Sequence, residues 1–258
     1  MGSEMCIRDR VIEGGYFSGG VRVEINQDKC TSCGECERVC KFSAVEKKDI
    51  AGEVKFFIDP IACEGCGTCL LVCEDDAIKT EDAINGEWFI SDTRLGPMSH
   101  AKLGVAEENS GRLVTLVRNN GSRIAGEKGI DGVLIDGAPG TGCPVISSLT
   151  GADYALIVTE PTVSGIHDLK RVLEVTRHFN IPAGVVVNKY DLNEKMTERV
   201  KELAQNKNIE FIGVIPYDKK FTQAQMQGLS VVEYDKGPLS ENIRHIWNKV
   251  NKNFIKKT

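Results

Sequence analysis

Long apolar runs are missing from this chain. No window of its 258 residues approaches about twenty consecutive apolar side chains, which excludes a membrane-spanning helix read from sequence. The N-terminus lacks a basic segment followed by an apolar one, so a secretory signal is not expected. A surplus of positive charge is missing too: 32 Lys and Arg stand against 37 Asp and Glu, a formal −5. Nucleic acid is therefore not expected as a main partner, because binding phosphates requires a basic face. Apolar residues at 41% are enough for real cores, and the length suits a small domain beside a larger one.

What the chain does have is cysteine, and eight of its ten cysteines fall in two copies of one spacing. The first copy is Cys30, Cys33, Cys36 and Cys40; the second is Cys63, Cys66, Cys69 and Cys73. In a C-x2-C-x2-C-x3-C run three thiolates converge on one cubane, while the fourth points away to serve the other cluster. One [4Fe–4S] cluster is therefore assigned to Cys30, Cys33, Cys36 and Cys73, and the second to Cys63, Cys66, Cys69 and Cys40. A disulfide framework is the weaker reading, since cysteines three apart in a tight loop rarely reach disulfide geometry. Structural zinc uses four ligands and has no use for a third and fourth cysteine in each loop. Oxygen-sensitive clusters and reduced thiols suit the cytoplasm. Residues 22–82 hold eight Lys and Arg against fourteen Asp and Glu, a formal −6, so the expected redox partner protein presents a basic surface.

This stretch resembles bacterial-type two-cluster ferredoxins over roughly residues 22–82. It departs from them where the usual proline after each fourth cysteine is replaced by Lys41 and Glu74. Around the loops, Val21–Ile25, Val54–Ile58 and Ala77–Thr80 read as short strands of a duplicated unit. Asn85-Gly86 reads as a turn before a strand at Trp88–Ser91. The first ten residues show no apolar period, are expected not to lead into a strand or helix, and resemble a translated adapter. On that expectation native sequence begins near Val11 and Cys6 has no role.

Beyond residue 83 the pattern changes. A helix is expected from Ser110 to Ala125, with Asn109 as its cap and Leu113, Leu116, Val117 and Ile124 on one face. Four apolar runs follow, at Val133–Ile135, Ala155–Val158, Val185–Val187 and Phe211–Ile215. Between them lie helical patterns carried by Ile166, Leu169, Leu173 and Thr176, then by Met196, Val200 and Leu203. Buried strands alternating with amphipathic helices predict an α/β fold, a parallel doubly wound sheet. The domain reading is 1–21 as leader and remnant, 22–82 as the ferredoxin domain and 83–258 as the α/β domain. In such a sheet ligands collect at the carboxyl ends of the strands. Those ends are Asp136–Gly142, Thr159–Thr162, Asn188–Asp191 and Pro216–Asp218.

The segments LIDGAPGTGCPV, VTEPT followed by GIHDLK, VVVNKYD and GVIPYD resemble, in this order, motifs of the MinD/Mrp-like P-loop ATPases. The branch with an inserted ferredoxin domain fits best, over nearly all of residues 11–235. The resemblance implies that Asp136 lies beside Mg²⁺ and the attacking water, and that Gly140, after Pro139, belongs to the switch sensing the γ-phosphate. It implies that Asn188 hydrogen-bonds the adenine and that Pro216 and Asp218 flank the base. It also implies ATP with Mg²⁺ as ligand and a homodimer in the full-length family. No G-x-x-x-x-G-K-[ST] occurs in the sequence, so ATP hydrolysis at a meaningful rate is not expected of this polypeptide. The chain is expected to be a truncated piece, with a gap where a central strand would sit.

Three smaller features have plain expectations. Cys143 is expected as a buried small residue, and His100 and His167 as surface or satisfied core positions rather than ligands. The C-terminal helix places Ile243, Ile246, Trp247, Val250 and Phe254 on one face, expected to pack on the sheet, with Arg244, Lys249, Lys252, Lys256 and Lys257 largely elsewhere and the lysines solvated. Membrane contact through this helix is not expected.

Overall fold

The structure, a computed structural model, describes residues 8–104 and 110–255, with side chains from 10 to 104 and from 110 to 252. Cys6, Asn109, Lys256 and Lys257, and the side chain of Phe254, lie outside what is described. The chain divides into two compact units, one of Glu13–Phe89 with Ala101–Asn109, the other of Met1–Ile12, Ile90–His100 and Ser110–Thr258.

The first unit is built on β1 (Arg8–Ile25), α1 (Glu35–Val39), β2 (Val45–Ile50), β3 (Glu53–Ile58), a 3₁₀ turn at Thr68–Val72, β4 (Ile78–Thr93) and β5 (Gly96–Leu103), of which residues 8–12, 90–93 and 96–100 fall in the second unit. Three features of this unit differ from the pattern expected from sequence. First, β1 begins at Arg8, so the last residues of the expected leader lead into a strand after all. Second, Asn85-Gly86 is no turn. It lies inside β4, where the Asn85 side chain accepts the Gly19 N–H at 2.7 Å and its carbonyl accepts the Gly104 N–H at 2.9 Å. Gly86 is required by proximity instead: a Cβ there would sit 2.7 Å from the Lys102 carbonyl oxygen. Third, the expected strand at Val54–Ile58 has a partner that periodicity did not reveal. β2 and β3 pair antiparallel from Val45↔Ile58 to Ile50↔Glu53, joined by Ala51 and Gly52, both at positive φ. The core of this unit is Val23, Cys36, Val45, Phe56 and Ile78, and five more cysteine and leucine side chains pack against it.

The second unit holds α2 (Gly111–Lys128), α3 (Cys143–Leu149), β6 (Ala155–Thr159), α4 (Val163–His178), β7 (Ala183–Asn188), α5 (Glu194–Asn206), β8 (Glu210–Ile215), α6 (Lys220–Met226), α7 (Val231–Tyr234) and α8 (Pro238–Ile255). Strands β6, β7 and β8 pair in parallel in that order. On one face Leu169 and Leu173 of α4 and Val200 of α5 cover Ala155, Ala183, Val185 and Val187. On the other, Ile246 and Val250 of α8 cover Val186 and Ile212. Both faces of β7 are buried, which is why its sequence is a continuous apolar run rather than an alternation. This is the expected α/β class with a parallel doubly wound sheet.

The first of the four expected strands does not form among the described residues. Val133–Ile135 pairs with no strand among the described residues, and Leu134 is 86% exposed. Three apolar residues become a strand only where a neighbouring backbone offers a ladder. Helix α2 forms as expected but is capped by Ser110, whose Oγ accepts the Leu113 N–H at 3.3 Å. In α8, Trp247 is half exposed, so the buried stripe is narrower than the periodicity suggested. Lys249 is not simply solvated: its Nζ donates to the Ile212 carbonyl at 2.8 Å, and Asn242 donates to Val214 at 2.7 Å. His100 is a satisfied core residue, 2.9 Å from the Ser91 hydroxyl. Cys143 is exposed at the start of α3, contrary to expectation. Among the described residues no helix is long and apolar enough to cross a membrane.

Leu173 is 2% exposed at the centre of the larger core. Leu173→Ala is expected to lower unfolding free energy by about 2–5 kcal/mol, the lost transfer energy plus a cavity, read from the urea denaturation midpoint.

Candidate functional site

The two cysteine loops are built alike, residue for residue, at an offset of 33. The Asn26 N–H donates to the Ala77 carbonyl at 2.8 Å, and the Asp59 N–H to the Ala44 carbonyl at 2.8 Å. Cys30 N–H then donates to Asn26 and Cys63 N–H to Asp59. Ser32 and Gly65 share a positive φ, as do Gly34 and Gly67. These left-handed residues turn the backbone around each loop in a way that extended or helical residues cannot. At Gly65 the close approach is also steric, since a Cβ would lie 2.5 Å from the Val21 carbonyl oxygen.

A cavity in this unit is lined by Cys30, Cys33, Cys36 and Cys73, three thiols from the first loop and the last thiol of the second. Apolar side chains of Ile25, Phe56, Val72 and Ile78 line it too, beside the polar Thr31, Glu35 and Asp75. Cys40, Cys63 and Cys69 pack against the same apolar core, and Cys66 is exposed. Backbone donors are aimed at the fourth sulfur of each run: Ala44 N–H at Cys40 Sγ and Ala77 N–H at Cys73 Sγ, each at 3.3 Å. Burial pushes the Cys36 thiol up, with Cys30 and Cys33 adding to it, and burial does the same to Cys69 beside Cys63 and Cys66. Cys66 is held low, chiefly by the Thr68 hydroxyl at 3.4 Å. All nine described cysteines are free thiols. Among the described residues no three His, Cys, Asp or Glu side chains converge tightly enough for a single metal ion. A set of thiols ringing a cavity, with amide donors on the sulfurs, fits an iron–sulfur cube.

The strand ends form a second cluster of polar segments. Thr159–Thr162, Asn188–Asp191 and Pro216–Asp218 follow β6, β7 and β8, as the pattern predicts, whereas Asp136–Gly142 follows no strand. Side chains tie these segments together. Lys189 Nζ meets Glu160 at 2.6 Å, Asp191 accepts the Tyr217 N–H at 2.7 Å, and Arg171 donates to the Thr141 hydroxyl at 2.8 Å. Lys189 and Glu160 lie in the strand-end segments expected from sequence, but no role was read for either; their ion pair is seen only in the structure. Asn188 accepts the Lys189 N–H at 3.0 Å and Asp218 accepts the Lys220 N–H at 2.8 Å. Asp136 is exposed, and Gly140 has a positive φ with open space around it. Asp136 and Gly140 are thus not carried by the sheet, while Asn188, Pro216 and Asp218 are.

A clamp lies farther along the second unit. Arg94 donates through Nε and Nη2 to both Glu233 oxygens, at 3.0 and 3.1 Å, and through Nη2 to the Gly228 carbonyl at 2.9 Å. Glu233 is also the return arm of a capping box with Ser230. These partners, Arg94 first, hold the Glu233 carboxyl at about 2, against 4.5 ordinarily. A folded-state value below the unfolded one stabilises the fold above the unfolded pKa, and that contribution fades as pH falls towards 2. Urea midpoints measured between pH 5.5 and pH 3 are expected to fall less steeply in Arg94→Ala than in the unmodified protein, about in step with the lost ion pair.

Comparison with known proteins finds two family matches. Residues 29–78 match the 4Fe-4S dicluster domain, and residues 125–251 match the ParA-type domain described as NUBPL iron-transfer P-loop NTPase. An uncharacterized protein of Methanocaldococcus jannaschii is 37% identical over 170 residues, covering 66% of this chain and 56% of its own. An iron-sulfur cluster carrier protein of the same organism is 29% identical over 119 residues, covering 41% of each. The MinD cell division protein of Aquifex aeolicus is 23% identical with a TM-score of 0.47, covering 64% of this chain and 69% of that one. The chain spans about half the length of the curated relatives it matches.

Proposed function

We propose that this chain, which joins a 4Fe-4S dicluster domain to a ParA-type P-loop NTPase domain, holds two [4Fe–4S] clusters and couples the nucleotide state of one domain to electron transfer through the other. The observation that carries the reading is the cavity ringed by Cys30, Cys33, Cys36 and Cys73, because a thiol from the second loop joins three from the first. Cys63, Cys66, Cys69 and Cys40 would hold the second cluster. When bound, such clusters supply one-electron storage at potentials set by burial and by hydrogen bonds to sulfur. The chain's own part is to exclude water with Phe56, Ile25 and Ile78 and to fix Cys40 and Cys73 by amide donors.

In the nucleotide domain, Asn188, Pro216 and Asp218 would receive the base. Asp136 and Gly140 would face Mg²⁺ and the phosphates. The backbone cradle and lysine that neutralise phosphate charge are not in this sequence, so binding through the remaining groups is expected without turnover. The oxygen-sensitive clusters assigned here would suit a cytoplasmic setting.

Anaerobic reconstitution tests the reading. The expected result is about eight irons per chain and, after reduction, the electron paramagnetic resonance of two interacting S = 1/2 centres. The midpoint potential should then shift on adding MgATP while phosphate release stays at background. Colourless protein, or one zinc per chain, sinks the cluster assignment; a potential indifferent to nucleotide sinks the coupling. A second reading, delivery of clusters to other proteins, is favoured by the names of the matched family and of one relative. Eight thiols within one chain weigh against it, and mixing holo-protein with an apo-acceptor separates the two.

A further inference from the structure

The internal duplication allows the surroundings of the two clusters to be compared position by position. Two residues before Cys30 stands Asp28, two after Cys36 stands Arg38, and two after Cys73 stands Asp75; all three are exposed and charged. The equivalent positions around the second set are Ile61 before Cys63, Leu71 after Cys69 and Phe42 after Cys40. All three are apolar, and they are exposed by 83%, 87% and 46%. The charged set is also engaged within the module. Asp75 accepts the Thr31 hydroxyl at 2.6 Å, and Arg38 is bonded to Glu35. The backbone at both places is the same, since Asp28 N–H and Ile61 N–H each donate to the preceding Asn26 or Asp59 side chain at 2.9 Å. Geometry therefore does not require the difference: the same fold is stable with charge at one end, and apolar side chains stand in water at the other.

Exposed isoleucine and leucine contribute nothing to this core, while large apolar side chains at the centre of an interface carry much of its binding energy. The module that carries them is acidic, with Asp59 and Glu64 in the same loop as Ile61 and a formal −6 over residues 22–82. We propose that Phe42, Ile61 and Leu71 form the docking site for a one-electron redox protein whose own electron-entry point is apolar and ringed by basic side chains. The second cluster is then the one that faces the partner. This rests on the ligand assignment proposed above.

Ferric cytochrome c, a basic protein with an exposed haem edge, serves as the probe. Mixed with oxidised, reconstituted protein it exchanges no electrons, so affinity is read directly by calorimetry at fixed low salt. Ile61→Ser and Leu71→Ser together are expected to raise Kd about tenfold, and Phe42→Ser alone by a smaller factor. Arg38→Ser, the counterpart of Leu71→Ser, should leave Kd within about twofold. Iron is measured in every sample. Unmodified protein that takes up no iron overturns the cluster assignment and this inference with it. Full iron with Kd unchanged in the double variant, or equally changed in Arg38→Ser, overturns this inference alone. So does a dimer of the unmodified protein that the double variant turns into monomer, since the patch would then belong to a second copy.

Discussion

Cys73→Ser is expected to remove about half of the iron from reconstituted protein, and from the same site as Cys36→Ser, although the two residues lie in different loops. The reasoning is geometric. A short helical turn that includes the third cysteine of each run, Glu35–Val39 or Thr68–Val72, carries the fourth away from its own loop. In the second loop this brings Cys73 to the cavity of Cys30, Cys33 and Cys36. A cube that loses one of four thiolates in a partly open site is expected to be lost on purification. Double variants make the test decisive, because two substitutions at one site do not add. Cys36→Ser with Cys73→Ser should keep about four irons, like either single variant; Cys36→Ser with Cys40→Ser should keep almost none. If Cys36→Ser with Cys73→Ser empties the protein, each run holds its own cluster and the crosswise assignment is wrong.

Gly65→Ala is expected to prevent the second loop from closing, whereas Gly67→Ala is tolerated at a cost of about 1–2 kcal/mol. Both glycines have positive φ, +62° and +73°, so both substitutions carry that conformational penalty. Only at Gly65 would the new methyl also lie 2.5 Å from a backbone oxygen, that of Val21, while Gly67 has nothing within 4 Å. Backbone cannot swing aside as the end of a lysine can, so β1 or the loop must move. Iron content after reconstitution and the thermal midpoint of holo-protein measure it. Equal behaviour of the two variants would show that the approach of Val21 has no consequence.

The sequence reading went furthest where the determining contacts are local. Two cysteine runs eleven residues long and the apolar stripes of α4 and α5 can be read without knowing what lies opposite. The central strand β7 was equally legible, because a strand covered on both faces is apolar throughout; β6 and β8 are apolar runs too, although Leu156 and Val158 of β6 stay exposed. Trp247 shows the limit of periodicity: it shares a stripe with Ile246 and Val250, but α8 meets the sheet along a narrower line.

What only the tertiary structure decided are the properties that need two distant segments at once. Asn85-Gly86 has the composition of a turn and is a strand because Gly19, Lys102 and Gly104 are its neighbours. Val133–Ile135 has the composition of a strand and is none because no ladder meets it. The enclosure of one thiol set by side chains from β3 and β4, and the contrast between a charged and an apolar rim on two like loops, are of the same kind. Side-chain chemistry and short spacing determine which atoms can bind iron, because those atoms are tethered within a few bonds. Which surfaces are shielded and which stay open depends on closing long loops, and the residues inside a loop carry no record of what it closes against.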